Sequence, residues 1–351
     1  MAFTSAVIGL GGMGTWHVEN IQKKVPRIHV KGAYDIRPEA LEKTGRLGIQ
    51  AYGSLDELLG DPEIDLVTIA IPNDMHKDTA IKALRAGKNV VCEKPVTLNS
   101  AELEEIIAVQ KETGKLFSVH QNRRWDKDFN IVKAAKDQGL LGDLTFVESK
   151  VQGSRQSMYG WRGHKQNGGG MLLDWGVHLL DQIMQLDKSK IVKVDSHLLS
   201  VYTPGVDDNI KLMLLFESGM SAVLEMSTMC LINSYRWHVE GTSGTLCIRD
   251  WNCEGELYQL KADAAMEWDE DIVYTEAGPT RTMAPRPKYT MNQLPLPEVH
   301  VDWSDYYNNI CDVLEGKAEL IVKPEQSLRV MRVIDLLFRA TEEGHGFACE
   351  L

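Results

Sequence analysis

The chain has no run of basic residues longer than Lys23-Lys24 and Arg123-Arg124, and 50 acidic against 38 basic side chains give a formal charge of -12. Nucleic acids and anionic membranes reward clustered Lys and Arg, so neither is expected as the main partner. No apolar stretch approaches the roughly 20 residues that span a bilayer. Met1-Ala2-Phe3-Thr4 leads straight into an apolar run, without the basic segment, apolar core or cleavage site of a secretory signal. Cysteines 92, 230, 247, 253, 311 and 349 are scattered, with no C-x-x-C pair and no His/Cys cluster at zinc spacing. They read as reduced thiols of a cytoplasmic protein, and no metal is expected. There is no repeat and no low-complexity tract.

What is present is length and alternation. A chain of 351 residues can hold two domains, each with its own core. Apolar runs at Ala6 to Leu10, Val30 to Tyr34, Leu66 to Ile71, Val90 to Cys92 and Leu116 to Val119 alternate with helical patterns at Gly14 to Lys24, Pro38 to Leu47, Asp74 to Ala86 and Ala101 to Thr113. Asn99, with Glu102 three residues on, caps the last of these. This alternation predicts βαβ units and a parallel sheet covered on both faces.

After residue 122 the pattern changes. Helices are expected at about Asp128 to Gln138 and Met171 to Leu186, with a strand at Leu144 to Val151. Runs at Ile191 to Leu199, Ile210 to Phe216, Ser221 to Met226, Trp237 to Glu240 and Thr245 to Ile248 predict a large open, mainly antiparallel sheet. Ala262 to Val301 reads as an irregular excursion, followed by helices at Trp303 to Leu314 and Pro324 to Glu343. The division is residues 1–122 and 123–351, with the last helix placed to pack back on the first domain. Met213, Met220, Met226 and Met229 enrich the open sheet in adaptable apolar groups, so its free face is expected to join copies of the chain, an intrachain core being the alternative.

The chemistry-bearing residues fall at the carboxyl ends of the first-domain strands. Gly9, Gly11 and Gly14, with Gly12 and Met13 between them, match the G-x-G-x-x-G turn: one glycine turns the chain, one admits a pyrophosphate, one lets helix and strand pack. The helix behind it offers N–H groups to phosphate. Asp35 ends the second strand where a carboxylate would accept from an adenosine ribose, which favours NAD; Arg37 two residues on keeps NADP as the alternative. Pro72-Asn73, with His76 following, and Glu93-Lys94-Pro95 end the next strands, on the same cofactor edge. Pro95 restricts Lys94 and allows a cis peptide, which aims the ammonium into the cleft.

A second constellation runs from Gly168-Gly169-Gly170 through Asp174 to His178. Four apart on a helix, Asp174 and His178 would stack, the carboxylate fixing the imidazole tautomer while the neutral ring takes a hydroxyl proton. Arg123, Trp125, Arg155, Tyr159, Trp161 and His164 flank these motifs with faces suited to a sugar ring and donors suited to its hydroxyls; for Trp125 and Trp161, packing at the domain junction is an equal alternative. Arg123 or Arg124 could instead bind a sugar carboxylate.

These residues together resemble the Gfo/Idh/MocA oxidoreductases over essentially the whole chain. The resemblance rests on Gly9-x-Gly11-x-x-Gly14, Pro72-Asn73 with His76, Glu93-Lys94-Pro95 and Gly169-Gly170 leading into Asp174-x-x-x-His178, with Glu240 to Gly244 and Val322 to Glu325 in support. It implies a doubly wound Rossmann domain plus an α/β domain whose open sheet builds dimers or tetramers. It also implies Lys94 at the substrate hydroxyl and nicotinamide, His178 as acid/base, and Asp174 in support. The expected activity is NAD(P)-dependent oxidation of a secondary ring hydroxyl of a sugar, an inositol or a glycoside, at C3 of a glucoside for instance. A glycoside hydrolase or lyase working through transient oxidation is the alternative, and a cofactor-binding regulator a third.

Overall fold

The computed structural model describes residues 2–262, 272–280 and 286–351. Strands β1 (Phe3–Ile8), β2 (Ile28–Tyr34), β3 (Gln50–Ala51), β4 (Leu66–Ile69), β5 (Asn89–Cys92) and β6 (Phe117–Val119) make a parallel sheet in the order β3-β2-β1-β4-β5-β6. Between them lie α1 (Gly12–Lys24), α2 (Pro38–Leu41), α3 (Lys43–Leu47), α4 (Leu55–Gly60), α5 (His76–Arg85) and α6 (Ser100–Thr113). The strand order reverses between β1 and β4, the switch point at which a doubly wound sheet opens a crevice at its carboxyl ends, and every residue of β4 is buried.

Three details depart from expectation. The helix expected over Pro38 to Leu47 is two short helices, because the Thr44 hydroxyl donates back to the Leu41 carbonyl (2.7 Å) and competes with the helix ladder. Strand β3 is two exposed residues with no apolar signal. Helix α4 did carry one: Ser54 accepts from the Glu57 N–H (3.0 Å), a serine cap with a glutamate three residues on. The same pattern holds at Asn99, whose side chain accepts from the Glu102 N–H (3.0 Å) as expected.

The second sheet follows α7 (Lys127–Asp137). It comprises β7 (Leu144–Gln152), β8 (Ile191–Leu199), β9 (Asn209–Phe216), β10 (Ser221–Ser227), β11 (Trp237–Gly241), β12 (Gly244–Ile248), β13 (Gly255–Leu260), β16 (Met291–Leu294) and β17 (Phe347–Ala348). A separate hairpin pairs β14 (Val273–Thr275) with β15 (Gly278–Thr280). The order is β16-β13-β12-β11-β7-β10-β9-β8-β17, antiparallel except where β10 lies parallel to β7. The expected irregular excursion therefore contributes β16 to the sheet edge, while its residues 263–271 and 281–285 lie outside the described residues.

Strand β9 shows how this sheet sits: Ile210, Leu212, Leu214 and Phe216 are buried, while Met213 and Leu215 are 43% and 38% exposed on the other face. Of the four methionines that enrich this region, Met213 and Met229 are exposed, whereas Met226, facing inward on β10, and Met220, in the turn before it, belong to the intrachain core. The buried face packs on α8 (Val177–Leu186) and α10 (Pro324–Glu343). Helix α10 also reaches the first sheet's layer: Asp335 accepts from the Ser100 N–H (3.0 Å), and Arg332 pairs with Glu104 (2.8 Å). Helix α9 (Ser304–Leu314) packs beside α1. No described helix is long and apolar enough to cross a membrane.

Candidate active site

The glycine turn follows β1 because only glycine fits it. Gly9 has φ +91°, and a Cβ there would lie 2.4 Å from the Ala70 carbonyl oxygen; a Cβ on Gly14 would lie 1.8 Å from the Gly9 carbonyl oxygen. Gly11 caps α1 without a side-chain bond, the first turn carries no acidic residue, and nothing stands within 4 Å of a Cβ built on Gly12. Met13 is partly exposed on the same turn. Free N–H groups, open space and a positive helix end form a cradle that fits a pyrophosphate. Asp35 Oδ2 accepts from the Leu10 N–H (2.8 Å), while Oδ1 accepts from the Arg37 N–H (2.9 Å) and Nε (3.2 Å). Burial pushes this carboxyl up, but the Arg37 bonds and charge outweigh it and hold it below the usual range. Arg37 Nη2 also reaches Oδ2 (3.4 Å), so all four acceptor sites are taken and a ribose hydroxyl would bond here in exchange for the Arg37 side chain.

Three residues placed by sequence on the cofactor edge turn inward instead. Glu93 is 5% exposed; its Oε1 accepts from His17 Nε2 and His120 Nδ1 (2.8 Å each) and its Oε2 from the Lys94 N–H (3.2 Å). His76 is fully buried between the Pro95 carbonyl (2.9 Å from Nδ1) and the Ile71 carbonyl (3.0 Å from Nε2), joining the two motif turns. Asn73 is buried and donates to the Gly168 carbonyl (3.0 Å), tying the first domain to the second; Pro72 beside it is exposed. Each of these side chains bonds a backbone group that lies outside the regular ladders: Lys94 N–H for Glu93, a turn carbonyl for His76 and the Gly168 carbonyl for Asn73. Among the described residues, His17, Glu93 and His120 alone bring three metal-ligating atoms within 4.8 Å, at hydrogen-bond separations.

Lys94, which precedes a cis peptide to Pro95, reaches across the crevice. Its Nζ donates to the Asp174 backbone carbonyl (3.0 Å) and to Asp174 Oδ1 (3.1 Å), while Asp174 Oδ2 accepts from Arg162 Nε (3.1 Å). The expected stacking of Asp174 on His178 is not what forms. Leu172–Gly176 is a π-turn, which shifts Asp174 off the i,i+4 register of α8, and the two cations capture its carboxylate. Burial raises the Asp174 carboxyl, yet Lys94 and Arg162 hold it below the usual range. The three glycines before it serve close packing: a Cβ on Gly169 would lie 2.3 Å from the Arg162 carbonyl oxygen, and one on Gly170 2.3 Å from Asp207 Oδ1.

His178 is 3% exposed, and its buried Nδ1 has no hydrogen-bond partner among the described residues. Burial, then the charges of Lys94 and Arg123, press it well below the ordinary histidine value, so the ring is neutral at neutral pH. Arg123 places its guanidinium carbon over Trp175 (4.0 Å to the ring centre) and bonds Asp126 (2.9 Å). In the loop before the glycines, Arg155 covers the exposed Tyr159 ring (4.2 Å) and Arg162 covers Trp161 (4.5 Å), with His164 exposed beside them. Trp125 sits edge-on to Tyr306 of α9 (5.7 Å), and Arg124 is committed to Asp181. Arg162, Trp175 and Trp251, which is 5.8 Å from Trp175, went unnamed in the sequence; only adjacency to named motifs could have found the first two.

Residues 3–121 match the oxidoreductase family with an NAD-binding Rossmann fold, and residues 129–247 match the GFO/IDH/MocA C-terminal domain. The chain is similar to an NAD-binding protein from Listeria innocua of known crystal structure, at 39% identity, 99% coverage of both chains and a TM-score of 0.94. It is 30% identical over 285 residues to the uncharacterized oxidoreductase YdgJ of Escherichia coli, covering 80% of this chain and 79% of that one. It is 27% identical over 300 residues to the scyllo-inositol 2-dehydrogenase (NADP(+)) IolW of Bacillus subtilis, covering 84% and 82%. With both domains matched and the dinucleotide cradle in place, the chain belongs to the Gfo/Idh/MocA family and is an NAD(P)-dependent oxidoreductase.

Proposed function

We propose that this protein oxidises a secondary ring hydroxyl of a sugar, glycoside or inositol to the ketone, C3 of a glucoside being one such position. The observation that carries the reading is Lys94, fixed on Asp174 beside a buried neutral His178 at the crevice. An ammonium has three N–H donors; two are taken by Asp174, leaving one for the substrate oxygen. Lys94 then polarises the hydroxyl and stabilises developing alkoxide charge, while neutral His178 takes the proton. The cofactor, when bound, accepts the hydride. The indole and guanidinium faces at Arg123, Trp175, Trp161 and Tyr159 suit a sugar ring. The inositol substrate in the name of the Bacillus relative supports a polyol. A second copy of the chain on the outer sheet face, around Met213 and Leu215, and a cytoplasmic location complete the proposal.

Purified protein incubated with NAD or NADP and a panel of inositols, aldoses and glycosides should release reduced cofactor in step with a keto product. Glycoside cleavage without net reduced cofactor would replace this reading with redox-assisted elimination. The pH profile carries a further expectation. Protonated His178 cannot act as base, so the acid limb of oxidation should lie well below the usual histidine value. Arg123→Leu removes one of the charges that depress it, so the limb should move to higher pH. An unmoved limb would remove His178 from that role.

A further inference from the structure

We propose that Glu93, clamped by His17 and His120, is a positioning residue that ties the cofactor turn to Lys94, so that the placement of both reaction partners depends on one buried carboxylate. The inference rests on the assignment of Lys94 and His178 above and extends it to residues buried behind them.

The geometry is specific. Glu93 Oε1 takes two imidazole bonds of 2.8 Å, from His17 on α1 and from His120 just past β6, while Oε2 holds the Lys94 N–H. His17 lies three residues after Gly14, on the helix that begins at the glycine turn, so any movement of that helix end is felt at Glu93. An ionised carboxylate only accepts, so both imidazoles donate to it, and His17 Nδ1 must then accept from the Tyr307 hydroxyl (2.9 Å), which in turn accepts from Thr68 (3.1 Å). One chain of bonds thus links β4, α1, β5, β6 and α9. Ring contacts close it: His17 to His120 at 4.6 Å, His120 to Tyr306 at 4.8 Å, and Trp16 to Trp303 at 4.9 Å.

Glu93 also acts at a distance. Burial alone would protonate it, yet His120 and His17 hold it well below the usual carboxylate range, so it stays an anion. Burial keeps His17 low, which favours the neutral ring assigned here. Facing His178 are Lys94, Arg123, Glu93 and His120, and of these only Glu93 raises its proton affinity. Asp174 and Arg162 flank the Lys94 side of the same cleft.

The test compares full-length wild type, Lys94→Met, Glu93→Gln, His120→Asn and His120→Leu with the substrate found by the panel. Glu93→Gln should lower kcat on the order of tenfold to a hundredfold through misplacement of Lys94. It should also carry the acid limb to lower pH, because His178 loses its anion, while the dissociation constant for reduced cofactor changes much less than kcat. Asn at 120 keeps a donor near the Nδ1 position and should restore most of the kcat that Leu loses; this pair also serves if Glu93→Gln does not fold. Wild-type kcat and limb in Glu93→Gln, with Lys94→Met inactive, would overturn the positioning role alone. Equal losses in His120→Asn and His120→Leu, with an unmoved limb in Glu93→Gln, would make the cluster merely structural and overturn it as well. An active Lys94→Met would instead overturn the function on which the inference rests. Stoichiometric divalent metal in the purified protein, measured by elemental analysis, would overturn the hydrogen-bonded assignment.

Discussion

Lys94→Met should lower kcat at least a hundredfold, about 2.7 kcal/mol of barrier, while leaving the protein folded and able to bind its cofactor. The loss is large because the ammonium's one uncommitted donor meets the oxygen where negative charge develops, inside a crevice that shields it from water. Folding should survive because Asp174 keeps Arg162 as a partner at 3.1 Å, so the substitution does not strand a carboxylate. Methionine matches the stem of lysine and adds no polar group. Rapid mixing with saturating substrate, read as the first turnover of reduced cofactor, separates chemistry from product release. A variant that keeps more than a tenth of wild-type turnover would show that Lys94 is an anchor and not the polarising group.

Arg124→Met should cost about 3–5 kcal/mol of stability, a fifth or more of the roughly 5–15 kcal/mol typical of a folded domain. Arg124 is 8% exposed and grips Asp181 with two bonds, Nε to Oδ2 at 2.7 Å and Nη2 to Oδ1 at 2.6 Å; Nη1 donates to the Ile321 carbonyl and Gln326 Oε1 (3.0 Å each). Asp181 lies on α8 three residues after His178 and is 2% exposed, so its charge has nowhere to go once the guanidinium is removed. The penalty is that of a stranded buried anion, more than the worth of the pair itself. The double variant Arg124→Met with Asp181→Leu should therefore recover most of the loss. Thermal unfolding of the two variants side by side tests this. A single-variant loss under about 1 kcal/mol, or no recovery in the double variant, would mean the pair is solvated when the protein breathes.

The same contrast runs through the candidate site. The glycine turn was legible because its spacing is local: a Cβ on Gly14 would strike the Gly9 carbonyl five residues back, although what excludes a Cβ on Gly9 itself is Ala70, at the end of a neighbouring strand. Lys94, Asp174 and His178 were legible as residue types at a strand end and a helix start, but the partner of Asp174 was not. Spacing assigned it to His178, whereas a π-turn and two cations from elsewhere in the chain took it. Glu93, His76 and Asn73 were placed beside the cofactor for the same reason of proximity. Each instead has at least one buried partner between 19 and 95 residues away. Arg124, read as a candidate for a sugar carboxylate, spends its charge on Asp181, and Trp125 packs on Tyr306.

By itself, then, the sequence determined the alternation that builds a parallel sheet, the cradle at its first turn, and the identities of the groups that can do chemistry. Those follow from local sterics and from periodicity, which neighbours along the chain enforce. Tertiary structure decided which way each polar side chain faces and with what it pairs. That choice is made by burial: a desolvated charge or amide must find a partner, and the partner comes from whichever element the fold brings within bonding distance.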